Sequence, residues 1–187
     1  KKNEIERYFD LIHYQVETLA DDHATEQALK YFTKAFNEYP ADRVSNGDIR
    51  QLENYYSSQF GATYRERNGN ASANESNRLR QVSPIGKALQ ARYIGVNQNP
   101  LGEKHLLDYD SLNTEYDEVH KEYHEPIRHF LEAFGYYDIF LVDLEGNVVY
   151  SVFKELDFGT NLMSGPYSSS GLATAYKQTR GLSKDQY

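Results

Sequence analysis

Residues 135–167, GYYDIFLVDLEGNVVYSVFKELDFGTNLMSGPY, constrain the fold of this chain more than any other part of it. A helical and strongly polar sequence changes here into two apolar segments of strand-like composition, 137–142 and 148–153. A short loop with a glycine, 143–147, joins them. Because two such runs separated by a short Gly-containing loop are typical of a hairpin, this stretch predicts a pair of antiparallel strands.

Two strands alone do not form a stable sheet in water. The hairpin must therefore pack on helices, or further strands must follow residue 187. We expect a sheet that is truncated after its first hairpin. A helix is predicted over residues 167–180, where Leu172, Ala175 and Tyr176 form an apolar face. The residues after Arg180 carry no clear pattern.

The region before the hairpin is predicted to be helical. Its first helix, over residues 3–19, places Ile5, Phe9, Ile12, Val16 and Leu19 at spacings of three and four, which is the pattern of an amphipathic helix.

Further helices follow, each with a start or stop signal. One runs from an Asp22 cap to a stop at Pro40, one covers 48–67, and one begins at Ser83-Pro84. Another covers 111–134, where Pro126 is expected to break or kink it and Gly135 to end it. Residues 68–77, rich in Asn, Gly and Ser, predict a surface loop. The fold class is therefore helix-rich α+β, with one domain over 1–187, mainly helical over 1–134 and holding the hairpin and a helix over 135–187.

The composition excludes several classes of function. The formal charge of −8 and the lack of a Lys/Arg cluster argue against a nucleic-acid surface. The absence of cysteine excludes a disulfide scaffold, a thiolate metal site and a cysteine nucleophile. The chain lacks the nucleophile-elbow pattern, the Walker phosphate loop and the dinucleotide glycine fingerprint, so we predict no enzyme activity and no cofactor.

One pair of residues suggests a metal site. His120 and His124 are four residues apart, so their imidazoles share a helical face and could hold a divalent ion together with Asp117. The zincin pattern requires Glu directly after the first His, and Lys121 stands there instead. Because that general base is missing, solvated or hydrogen-bonded histidines without metal are the favoured interpretation.

The hairpin region resembles a known family. Its motifs are 136–143 (YYDIFLVD), 146–155 (GNVVYSVFKE), 157–162 (DFGTNL) and 165–167 (GPY). Together they are similar to the extracytoplasmic sensor region of bacterial methyl-accepting chemotaxis proteins, of the Cache or PAS-like periplasmic class. Segments 93–100 and 120–124 also resemble this group. Similar sensor regions precede membrane-bound nucleotide cyclases and histidine kinases.

This resemblance implies a receptor input domain. In the family a long amino-terminal helix leaves a first membrane span, a PAS-like sheet holds a ligand pocket, and a second span carries the signal inwards. We therefore expect the periplasmic ligand-sensing domain of a membrane-anchored chemoreceptor, which binds a small molecule and signals through a helical homodimer. The alternatives are the sensor of a cyclase or histidine kinase, a metal-dependent hydrolase built on His120 and His124, and a helical interaction module without a ligand.

The strands and the loop after them supply the candidate ligand residues. They are Tyr137, Asp138, Tyr150, Lys154 and Asp157, with Arg92 and Tyr93 from a preceding helix. Lys154 or Arg92 could pair with a ligand carboxylate, and Asp138 or Asp157 with an amine.

Overall fold

A computed structural model of the chain describes residues 2–182, which form a helix-rich α+β fold with one two-stranded antiparallel sheet. The predicted helix-rich α+β class is thereby confirmed, and the PAS-like sheet stays a prediction. The helices are α1 (Lys2–Asp21), α2 (His23–Asn37), α3 (Asn46–Asn54), α4 (Gly61–Arg67), α5 (Glu75–Arg80), α6 (Pro84–Gln90), α7 (Glu115–Phe134) and α8 (Gly171–Thr179). The strands are β1 (Phe140–Val142) and β2 (Val148–Ser151).

Two of the helical runs contain a widened π-helical turn. The turn Tyr55–Phe60 joins α3 directly to α4, so the helix predicted over 48–67 is one continuous run. A second π-helical turn, Ala91–Gly95, continues α6. The two runs approach closely, because a Cβ built on Gly95 would lie 2.7 Å from the backbone nitrogen of Leu52. Such turns are rare and often lie at functional sites.

The prediction of a loop over 68–77 is wrong for its last three residues, which form the start of α5. Glu75 is largely buried there, and its carboxylate accepts a hydrogen bond of 2.9 Å from the Arg65 guanidinium. This ion pair joins α4 to α5 across the loop.

Helix α7 is one uninterrupted helix. Thr114 and Asp117 form a capping box at its start, and Gly135 ends it in the left-handed conformation at φ 70°. Of the predicted alternatives at Pro126, a break or a kink, the break is wrong, because the proline lies inside one helix. The carbonyl that proline leaves unpaired belongs to Glu122, an exposed residue whose carbonyl water can solvate.

The predicted antiparallel hairpin is confirmed, with Phe140 opposite Ser151 and Leu141 opposite Tyr150. Both strands are shorter than predicted. Beyond the ladder, the Asp138 carboxylate accepts hydrogen bonds from the backbone nitrogens of Val152, at 2.9 Å, and Phe153, at 3.3 Å. The Val152 nitrogen also donates to the Ile139 carbonyl at 3.2 Å, so the side chain adds to the backbone pairing at this end of the hairpin.

The hairpin is stabilised by packing on α2 and α7. The buried Phe32 ring of α2 lies 4.7 Å from the Tyr150 ring and 5.3 Å from the Tyr116 ring. The Tyr116 hydroxyl donates a 2.6 Å hydrogen bond to the Val149 carbonyl. These helices supply the support that a two-stranded sheet requires.

The last described helix, α8, is shorter than the one predicted over 167–180. It begins after Ser170, whose hydroxyl accepts a hydrogen bond from the Ala173 nitrogen. Between residues 2 and 182, no helix is long and apolar enough to cross a membrane.

Candidate functional site

A cavity of about 540 Å³ lies where the loop after β2 faces the helical run through α3 and α4. Its volume falls within the range of small-molecule sites, roughly 300–1,000 Å³. Its wall carries six aromatic rings, those of Tyr55, Phe60, Tyr64, Tyr137, Phe153 and Tyr167. Its charged residues are Arg67, Lys104, Lys154, Glu155 and Asp157.

Three of the predicted ligand residues line this cavity: Tyr137, Lys154 and Asp157. Tyr137 is 78% exposed at the rim, and its hydroxyl donates a 3.0 Å hydrogen bond to the Glu155 carboxylate. Asp138 does not line this cavity but a second one, and its Oδ1 accepts hydrogen bonds from backbone nitrogens. Burial raises the pKa of Asp138, and the backbone hydrogen bonds and the Lys154 charge partly offset this rise.

Arg92 does not line the cavity. Its guanidinium forms a forked pair with the buried Asp110 carboxylate, at 2.8 and 2.9 Å, and a further contact of 3.3 Å with Asp48. This arrangement ties α3 and α6 to the segment before α7. Contrary to the prediction from the sequence, Arg92 is therefore not placed to bind a ligand carboxylate in this cavity.

Tyr93 and Tyr150 also lie in the core rather than on the cavity wall. The Tyr93 hydroxyl donates a 2.6 Å hydrogen bond to Asp117. The Tyr150 hydroxyl lies 2.8 Å from Nδ1 of His124. Both side chains are fully buried, so they support the hairpin from behind.

Lys154 is the most constrained residue of the site. Its backbone has φ 55°, the left-handed region that residues with a side chain rarely adopt. Its ammonium is buried over the rings of Tyr150 and Phe158, at 4.3 and 5.4 Å, and donates to the Ser151 carbonyl. Burial lowers the pKa of Lys154, against the opposing charge of Asp138. A strained backbone conformation and a buried charge at the same residue are features that often occur at functional sites.

Asp157 carries an unsatisfied group. Its Oδ1 is buried and has no hydrogen-bond partner among residues 2–182. Burial first, and then the charges of Asp138 and Glu155, raise the pKa of Asp157 to about 7. A buried acceptor without a donor is destabilising, and this one belongs to a residue that lines the cavity.

The wild-type protein should become less stable to unfolding as the pH rises, and we expect Asp157→Asn to remove this dependence on pH. Because the pKa is raised in the folded state, the wild-type protein is favoured at pH 4 and loses that contribution as the pH rises towards 7. The wild type should lose about 4 kcal/mol relative to the variant between pH 4 and pH 8, because the pKa is raised from 3.8 to about 7. Urea unfolding followed by circular dichroism at several pH values measures the difference. Parallel curves for the two proteins would contradict this account of Asp157.

Several wall residues were missed from the sequence. Tyr55, Phe60 and Tyr64 reach the cavity through the π-helical turn and α4, and Tyr167 reaches it from the loop before α8. Lys104 adds a largely buried cation, whose ammonium donates to the Asn97 carbonyl at 2.7 Å. For the tyrosines among these residues, the only indication in the sequence is the abundance of tyrosine, which does not show which rings lie together.

His120 and His124 are buried and stacked, with ring centroids 4.2 Å apart. Burial first, and then the Lys154 charge, lower both pKa values, so both rings are neutral. Nε2 of His124 lies 2.7 Å from the His105 carbonyl, and Nδ1 of His120 lies 2.9 Å from the Asp108 carbonyl.

These hydrogen bonds occupy ring nitrogens that a metal ion would need as ligands. Because a neutral imidazole has one donor nitrogen, His124 donates to the His105 carbonyl and accepts from the Tyr150 hydroxyl. The third suggested ligand, Asp117, is bound by Thr114 and Tyr93. In the part of the chain that the structure describes, no three His, Cys, Asp or Glu side chains are placed to hold a metal ion.

Comparisons with protein-family models, curated proteins and solved structures found no match for this chain.

Proposed function

We propose that this chain is the extracytoplasmic sensor domain of a transmembrane chemoreceptor, which binds a small molecule without transforming it. The observation that supports this most is the convergence of Tyr137, Lys154 and Asp157 on one cavity of about 540 Å³. These residues come from the motifs that resemble chemoreceptor sensors. The proposal places the domain in the periplasm, with its parent protein anchored in the inner membrane.

In this proposal, a ligand in the cavity shifts the position of the loop after β2 relative to the α3–α4 run. One wall, with Glu155 and Asp157, belongs to the loop after β2, and the opposite wall, with Tyr55 and Tyr64, belongs to the α3–α4 run. A ligand that touches both walls stabilises one relative position of loop and helix over others. Differential binding of this kind is what a conformational signal requires.

Helix α1 supports the proposal of a homodimer. Ile5, Phe9 and Val16 share one helical face, and each is more than half exposed. Exposed apolar residues that form a contiguous patch commonly mark an interface. We propose that a second copy covers this face. Tethering in a membrane raises the local concentration, so the contact need only be weak.

Cysteine cross-linking tests the dimer, because the chain has no cysteine of its own. We expect Phe9→Cys to form a disulfide between two copies faster than Arg7→Cys, a matched position on another side of α1. Gel electrophoresis under non-reducing conditions measures both rates. Equal rates at the two positions would contradict a dimer through the apolar face.

Thermal-shift screening with small metabolites in EDTA tests the sensor function. Binding at a ligand concentration of about 100 Kd should add about 2.7 kcal/mol to the stability. Thr63→Trp, which places a large ring in the cavity wall, should abolish this gain. Ala62→Trp, on an exposed neighbour outside the wall, should keep it.

Three outcomes would count against the proposal. A shift that needs a metal and disappears in EDTA would favour metal binding. A shift that survives in Thr63→Trp would place the ligand elsewhere. No shift from any compound would favour a helical interaction module.

A further inference from the structure

The aromatic wall of the cavity is suited to a positive charge. Six rings surround it, and they come from four separate parts of the chain. The faces of such rings attract cations, and cages of several rings are a recognised way to bind ammonium groups. Rings alone would also suit a neutral apolar ligand, so the charges of the wall decide between the two.

The unsatisfied group in the wall is an acceptor. Within residues 2–182, five buried side-chain atoms lack a hydrogen-bond partner, and only Oδ1 of Asp157 belongs to a residue that lines this cavity. A second carboxylate, that of Glu155, lies at the exposed rim beside Tyr137. Glu155 already accepts from the Tyr137 hydroxyl, so Asp157 is the carboxylate that lacks a donor, and a donor with a positive charge satisfies it best.

The cations of the wall are already engaged or lie in solvent. The Lys154 ammonium is enclosed by rings and donates to the Ser151 carbonyl. The Lys104 ammonium donates to the Asn97 carbonyl and lies 5.1 Å from the Tyr55 ring centre. Arg67 is exposed at the rim, where water screens its charge. Each of the two buried ammonium groups therefore already has a carbonyl acceptor, whereas Oδ1 of Asp157 has no donor within residues 2–182.

We infer that the cavity binds a small organic cation, an amine or quaternary ammonium, with its charge against Asp157 and its apolar part against the tyrosine rings. This inference rests on the proposed sensor function and names the chemical class of its ligand.

The binding should be linked to proton release. Burial and the neighbouring charges of Asp138 and Glu155 raise the pKa of Asp157 to about 7, and the rings of Tyr56 and Tyr167 also face this carboxylate. A cation favours the ionised carboxylate, so protons compete with it. Affinity should rise about tenfold per pH unit below pH 7 and level off above it.

Two sets of isosteric probes test the charge preference. The first is choline, neutral 3,3-dimethylbutan-1-ol and anionic 3,3-dimethylbutanoate. The second is phenethylammonium, neutral 2-phenylethanol and anionic 3-phenylpropanoate. Ligand-observed NMR titrations with the whole chain detect weak binding. We expect the cation of at least one set to bind about tenfold more tightly than its neutral and anionic partners.

Variants locate the effect. Asp157→Asn keeps the size of the side chain and should weaken cation binding about tenfold or more. Glu66→Gln removes one exposed carboxylate of α4 that does not line the cavity, and it should leave binding unchanged. Circular dichroism of both variants controls for folding.

The outcomes separate this inference from the sensor function. If a neutral or anionic probe binds as tightly as its cation, or if Asp157→Asn binds cations as well as the wild type, the cation preference is wrong and the sensor function stands. If no probe binds and the metabolite screen gives no shift, both are wrong.

Discussion

Replacing Gly86 with alanine is expected to lower the free energy of unfolding by about 3 kcal/mol or more. A Cβ built on Gly86 would lie 2.1 Å from the carbonyl oxygen of Gly159, far inside van der Waals contact. That oxygen is backbone, so it cannot move aside as a flexible side chain would. The short distance shows that the loop that carries Asp157 packs directly on α6. Gly159 itself lies in the left-handed region, at φ 72°.

Gly171→Ala is the matched control, because a Cβ built there meets nothing within 4 Å. It should change the stability little or raise it slightly, since alanine is the better helix former. Chemical unfolding of the three proteins measures the difference. Gly86→Ala should also weaken any ligand response, because it displaces the loop that holds Asp157. Equal stability of the two variants would contradict the close packing of loop and helix.

Phe32→Ala is expected to lower the free energy of unfolding by about 3–5 kcal/mol. The Phe32 ring is 0% exposed and touches rings of both α7 and β2. Its loss leaves a cavity between the hairpin and its supporting helices. Phe9→Ala makes the same chemical change at a ring that is 63% exposed, and it should change the stability of the monomer little. Similar losses at both positions would contradict the packing of the hairpin on α2.

Much of the fold could be predicted from local patterns. The α1 stripe, the Asp22 cap, the Ser83-Pro84 helix start and the hairpin are all found where the residues indicate them. Each depends on interactions between residues close in the chain, which propensity and periodicity describe well.

Several departures from prediction involve residues that are distant in the chain. Helix α5 was not predicted, and it begins at Glu75, whose carboxylate pairs with Arg65. Where the strands end, the Asp138 carboxylate accepts hydrogen bonds from the backbone nitrogens of Val152 and Phe153, fourteen and fifteen residues further along the chain. Side-chain partners of this kind have no signature in a single sequence.

The candidate site was predicted only in part for the same reason. The residues after β2 could be placed near a pocket because they follow a strand end, and Lys154 and Asp157 lie there. Arg92 also seemed suitable by its type, but Asp110 and Asp48 neutralise it elsewhere. The opposite wall depends on a π-helical turn at Tyr55–Phe60, which apolar periodicity does not reveal.

Amide chemical-shift mapping tests the central claim, that the cavity beside Asp157 is the ligand site, most directly. A ¹⁵N-labelled sample in EDTA would be titrated with whichever compound stabilises the protein most in the thermal screen. We expect shifts concentrated at residues 153–157 and 63–68, together with Tyr137, and their loss in Thr63→Trp. A second cavity of about 580 Å³ lies between α1, α2, β1 and α8. Shifts confined to that region, around Leu29, Phe140 and Tyr176, would contradict the account.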